Sequence, residues 1–133
     1  MREHSKCISA DVTAAYDPSF ASAFEDLNVG YVNKGVTMNK FTGARGKSGS
    51  NDASAEYIAY LRGVFAKENV VWQTGELGRV DLGGGGTVAK YISKMNIDTV
   101  DMGVPVLSMH APNELISKAD LYTAHKAFSA FVK

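Results

Sequence analysis

The sequence predicts a layered α/β fold in which helices cover a central sheet. Three observations lead there. Short β-rich runs alternate with helical stretches of ten to sixteen residues, in the order β, (α), β, α, β, α, β, α. The run Val104–Leu107 is apolar without polar alternation, as a strand covered on both faces should be. At 133 residues the chain holds one domain, 1–133, and roughly two-thirds of its unfolded surface can be buried.

Lys6–Thr13 reads as a short strand presenting Asp11 near its end, closed by Tyr16-Asp17-Pro18, because a residue before proline leaves the helical region. Phe20, Phe24 and Leu27 predict a short helix over Pro18–Leu27. Val36–Phe41 reads as a second strand. Thr42–Asn51 is polar, glycine-rich and aperiodic, which predicts a surface loop from which Arg45 and Lys47 could reach an anion.

The clearest helix runs over Asp52–Glu68. Ser50, Asn51 or Asp52 can cap it, and Ala55, Ile58, Ala59, Leu61, Arg62 and Phe65 form its inner face. Val70–Thr74 is a third strand. After Gly75–Thr87 comes a helix with Val88, Ala89, Tyr91, Ile92 and Met95 on one face. Ile97–Met102 and Val104–Met109 supply the last strands. A final helix over Ser117–Val132 turns Leu121, Ala124, Phe128, Phe131 and Val132 inward.

Composition narrows the partners. Basic and acidic side chains number 14 each, so no overall field attracts nucleic acid or an anionic membrane, and neither is an expected partner. No apolar run approaches the ~20 residues that span a bilayer. The N-terminus lacks the apolar core of a signal peptide, and the single Cys7 suits a reducing compartment, so a cytoplasmic address is expected.

Chemistry concentrates at three places. His110 ends the run V-P-V-L-S-M-H-A-P-N-E, where a strand leaves the sheet, and ligands collect at such carboxyl ends. It is either a hydrogen-bonded loop histidine or a ligand. Asp11 sits at another strand end, and both side chains suit first-row metals, although two fall short of the three a catalytic zinc needs. Gly83–Thr87 opens a helix but meets neither the P-loop nor the dinucleotide spacing. These glycines fit a close backbone approach or an N–H nest. Glu76, Arg79 and Asp81 in the same loop either line a pocket or pair with one another. Glu114 is either a partner to the histidine or a charge at a helix start.

Four segments together resemble the aspartyl aminopeptidase/aminopeptidase I family of dizinc exopeptidases. They are S-A-D-V-T-A-A-Y-D-P (Ser9–Pro18), S-N-D-A-S-A-E (Ser50–Glu56), G-G-G-G-T-V-A (Gly83–Ala89) and D-M-G-V-P-V-L-S-M-H-A-P-N-E (Asp101–Glu114). The last is the most specific, and the glycine-rich third is similar to the bacterial aminopeptidase I branch. The resemblance implies an α/β/α sandwich fragment with a mixed central sheet, the C-terminal half of the catalytic domain. The first zinc-ligating His, the bridging Asp, the Glu-Glu pair and an inserted dimerisation domain lie outside this stretch of the family.

The resemblance further implies zinc as cofactor, two ions per complete site, with Asp11 ligating one and His110 the other. It implies a peptide substrate, met by Gly86, Thr87 and Lys40, and a homo-oligomer. Glu114 would support His110. No residue here matches the family's catalytic base, so the chain alone is expected to be inactive. A non-catalytic α/β interaction module is the alternative. Hydrolysis would be metal-assisted, one zinc anchoring the substrate amine and both polarising the water and the scissile carbonyl. Members selective for acidic residues carry His where this sequence has Ala14, and Tyr near Gly49, so neutral or apolar N-terminal residues are the expected substrates.

Overall fold

The computed structural model describes residues 4–45, 48–79 and 81–133. Its centre is a four-stranded mixed sheet in the order β1 (Lys6–Ser9), β7 (Asp98–Gly103), β3 (Val36–Asn39), β6 (Trp72–Thr74). β1 runs parallel to β7, and β3 parallel to β6. β7 and β3 are antiparallel, with Met38 opposite Met102 and Asn39 opposite Asp101.

Alternation along these strands sorts the two faces. Val36 and Met38 of β3, with Val100 and Met102 of β7, join one apolar core. Tyr57, Leu61 and Phe65 of α1 (Ala55–Lys67) and Ala124, Ala127 and Ala130 of α3 (Lys118–Phe131) close over it. The small side chains of α3 let that helix sit close to its neighbours. The other face carries Thr37, Asn39, Thr99 and Asp101, all buried. Both faces are therefore covered, but the second is polar, where apolar residues on both were expected. Its cover is α2 (Ala89–Ser93) and a hairpin of β4 (Phe41–Ala44) and β5 (Ser48–Asp52). Asn51 of β5 donates its amide to the Thr99 carbonyl at 3.1 Å, and Thr42 of β4 reaches Asp101.

That hairpin corrects the loop expected over Thr42–Asn51. Its inward residues are Thr42 and Asn51, so it pairs without any apolar periodicity. Lys47 lies outside the described residues.

Helix limits and faces differ in detail. Ser54 caps α1, its hydroxyl accepting the Tyr57 N–H at 3.2 Å. Ala55, Ala59 and Arg62, expected inside, face out, and Tyr57 takes the buried place, donating its hydroxyl to the Cys7 carbonyl at 2.9 Å. The expected helix over Pro18–Leu27 is only a 3-10 turn, Pro18–Ala23, started by Asp17. Phe20 and Leu27 are 68% and 93% exposed there, outside the core. α2 spans five residues and buries only Ala89. In α3, Asp120 is buried while Leu121 and Val132 are exposed. The carboxylate of Asp120 accepts the backbone N–H groups of Asn33 at 2.6 Å and Gly35 at 2.8 Å, which fixes the turn entering β3.

A second, three-stranded sheet carries β2 (Thr13–Ala14), β8 (Pro105–Leu107) and β9 (Leu115–Ile116), with β2 parallel to β8. β1–β2 and β7–β8 thus travel side by side and break together, at Ala10–Val12 and at Val104. No described helix is long and apolar enough to cross a membrane.

Candidate metal and substrate site

Asp11 lies in the break between β1 and β2. Its N–H turns back onto the Ser9 carbonyl at 3.0 Å. Its own carbonyl oxygen presses on Gly103, where any Cβ would overlap it. The backbone of β7 therefore sets the height at which Asp11 stands. The Asp11 side chain is exposed and open to a ligand.

His110 arrives from the far end of the chain. β8 ends at Leu107, and a tight turn follows in which Ser108 (φ +57°) and His110 (φ +66°) adopt the left-handed conformation. That costs each about 1 kcal/mol. The His110 N–H donates to the Glu114 carboxylate at 2.6 Å, and the Ala111 N–H to the Ser108 carbonyl at 3.0 Å. Glu114 precedes β9, not a helix, so it charges no helix start.

Asp11 and His110, 99 residues apart in sequence, line one cavity of about 440 Å³. Gly83–Thr87 lines it too, Gly86 and Thr87 included, and Phe24, Leu77 and Met109 add apolar surface. The glycines are there for close approach: Gly84 (φ +90°) rests on the Gly43 carbonyl of β4, where a Cβ would overlap it. The Arg45 N–H donates to the Gly83 carbonyl at 3.1 Å. Thr87 lines the cavity with its hydroxyl committed elsewhere, donating to Asp101 at 2.7 Å and accepting the Ala89 N–H at 3.3 Å.

Lys40 is not in this lining. Its ammonium is exposed and pairs with Asp52 across the hairpin. Glu76, Arg79 and Asp81 do not line the cavity either. Among the described residues the ion pairs are Lys40–Asp52 and Lys133–Glu68, so these three do not pair with one another. Burial and the nearby carboxylate of Glu25 push the Glu76 carboxyl up.

A carboxylate and an imidazole on one open cavity are a donor set that suits zinc. They remain two: among the described residues no three His, Cys, Asp or Glu side chains gather as a metal-binding group. Sequence reading did not single out Asp101, which is 1% exposed. Its signal was available, a lone carboxylate inside the strand run T-V-D-M-G-V. Nor did it place Phe24, Leu77 and Met109, whose apolar character alone does not separate a cavity wall from a core.

A mixed sheet that brings a carboxylate and an imidazole to one glycine-walled cavity fits part of a zinc metallopeptidase. The sequence profile of the Aminopeptidase I zinc metalloprotease (M18) family matches residues 1–132, and the chain belongs to that family. A probable M18 family aminopeptidase 1 of Clostridium acetobutylicum is 50% identical over 129 residues, 97% of this chain and 28% of the relative. The crystal structure of aminopeptidase I from that organism superposes with a TM-score of 0.94, covering 98% of this chain and 29% of the other. The Thermotoga maritima M18 aminopeptidase structure gives the same TM-score at 42% identity, with coverages of 98% and 29%. The chain thus spans somewhat over a quarter of the length of the relatives it matches.

Proposed function

We propose that this chain is part of a zinc aminopeptidase that releases N-terminal residues from peptides. Asp11 serves one zinc and His110 the other, Gly86 and Thr87 wall the substrate pocket, and Glu114 holds the backbone of His110. The observation that carries the reading is the meeting of Asp11, His110 and Gly83–Thr87 on one cavity. Bound zinc would polarise the attacking water and the scissile carbonyl. The chain's own part is to hold a carboxylate and an imidazole at the cavity and to present a peptide-sized wall.

With two candidate ligands and no matched general base, the isolated chain is inactive. Lys40 would meet a substrate only by leaving Asp52. Ala14 lines the cavity where relatives selective for acidic residues carry His, which favours neutral or apolar N-terminal residues. A cytoplasmic address and assembly into a homo-oligomer belong to the same reading.

The test follows the His110 Hε1 proton by NMR while zinc is added to the chain and to Asp11→Ala. Two separate half-sites predict the same weak response in both. A response much weakened by Asp11→Ala would mean that both side chains hold one ion.

A second reading, a non-catalytic interaction module, draws on Leu115, Ile116, Leu121 and Tyr122, exposed on β9 and α3. It predicts a stable oligomer with no response of His110 to zinc.

A further inference from the structure

Asp101 is buried at the centre of β7, on the polar face of the sheet. One of its oxygens, Oδ2, accepts two hydroxyls, from Thr87 at 2.7 Å and from Thr42 at 3.2 Å. The two threonines belong to segments that already touch, since Gly84 rests on Gly43 and Arg45 binds Gly83. β4 therefore backs the glycine wall of the cavity, and a single carboxylate ties both to the sheet beneath.

On the other side Asp101 pairs in register with Ser9, the residue onto which Asp11 turns back. Asp101 Oδ1 and Ser9 Oγ are both buried, and the Ser9 hydroxyl joins those of Thr87 and Thr42 in favouring the charged carboxyl. Burying a carboxylate is costly, and these hydroxyls offset part of that cost. A threonine hydroxyl has one proton. Thr87 gives its proton to Asp101, so that hydroxyl cannot donate into the cavity.

We infer that Asp101 is a positioning residue for the cavity. It fixes Gly83–Thr87 against β4 and turns the Thr87 proton inward. The wall then offers a ligand main-chain groups in place of a hydroxyl donor, the chemistry that recognises the backbone of an extended peptide whatever its side chains. This deepens the aminopeptidase reading and rests on it for the identity of the ligand.

The experiment is amide hydrogen exchange and NMR of the 133-residue chain carrying Thr42→Val, Thr87→Val, Asp101→Asn or Asp101→Ala. Thr42 does not line the cavity, yet Thr42→Val should speed exchange about tenfold at Gly83 and Arg45, whose N–H groups bond the Arg79 and Gly83 carbonyls, as loss of one buried hydrogen bond would. It should also shift the His110 Hε1 resonance, with α1 amides unchanged. Thr87→Val should do the same. Asp101→Asn keeps an oxygen for both hydroxyls and should match the parent chain, while Asp101→Ala should exceed both valine variants. If Asp101→Ala fails to fold, the valine variants still decide. Wild-type exchange at Gly83 and Arg45 in Thr42→Val would overturn the inference. So would equal loosening of α1, or an Asp101→Asn as disruptive as the alanine. Neither readout involves zinc or turnover, so it stands or falls separately from the peptidase reading.

Discussion

The backbone N–H of His110 donates to the Glu114 carboxylate at 2.6 Å from a left-handed conformation, φ +66°. The side chain four residues on thus holds the candidate ligand's backbone where it would otherwise relax. Glu114 is exposed, so Glu114→Ala should change stability by less than about 1 kcal/mol. Its effect should be local: faster exchange of the His110 amide and a changed His110 backbone shift. Glu114→Gln keeps an acceptor and should restore both. An unchanged His110 amide in the alanine variant would show that the turn holds itself.

Two glycines should respond in opposite directions. Gly103 faces the Asp11 carbonyl with no room for a Cβ. Gly103→Ala should cost on the order of 1–3 kcal/mol or more, because two backbones must part. Gly63, in α1, has nothing within 4 Å of its Cβ position. Gly63→Ala should add roughly 0.5–1 kcal/mol through helix propensity. Urea midpoints of both variants give the signs directly.

Asp120 joins α3 to the turn before β3 through two backbone N–H groups, and it is 1% exposed. Asp120→Ala leaves both donors unpaired and should cost roughly 2–3 kcal/mol. A loss within 0.5 kcal/mol, read from urea unfolding, would mean that water replaces the carboxylate.

Burial holds the Asp101 carboxyl above its usual range, against the pull of the hydroxyls around it. The folded chain then binds that proton more tightly than the unfolded chain does. Stability from this group is fully present below the ordinary Asp pKa, about 3.9, and is lost as pH rises through the raised folded value. Asp101→Asn stays neutral and lacks this loss. The stability of the parent chain relative to Asp101→Asn should therefore fall as pH rises across that window. A relative stability that rises with pH would give the shift the other sign.

Some of this was readable from residues alone. Asp11 and His110 stood out because each follows a β-rich run, and the structure puts both on one cavity. α1 and α3 were visible because Leu61, Phe65 and Ala124 recur at helical spacing. The hairpin was not visible. Its inward residues, Thr42 and Asn51, are polar and bond to the strand beneath, so no apolar pattern marks them. Leu121 and Val132 fit a helical stripe but lie exposed, because periodicity says which residues share a face and not whether anything covers it. The polar face of β3 and β7 was hidden for the same reason: Asp101 and Asn39 are buried by hydrogen bonding, which spacing does not record.

The most direct test is the zinc content of the purified 133-residue chain after dialysis, with hydrolysis of a leucyl chromogenic substrate measured on the same sample. The half-site account predicts substoichiometric zinc and no turnover, because Asp11 and His110 are ligands without their partners. Two tightly held zinc ions with turnover would contradict it and would mean that this chain completes the site from its own residues.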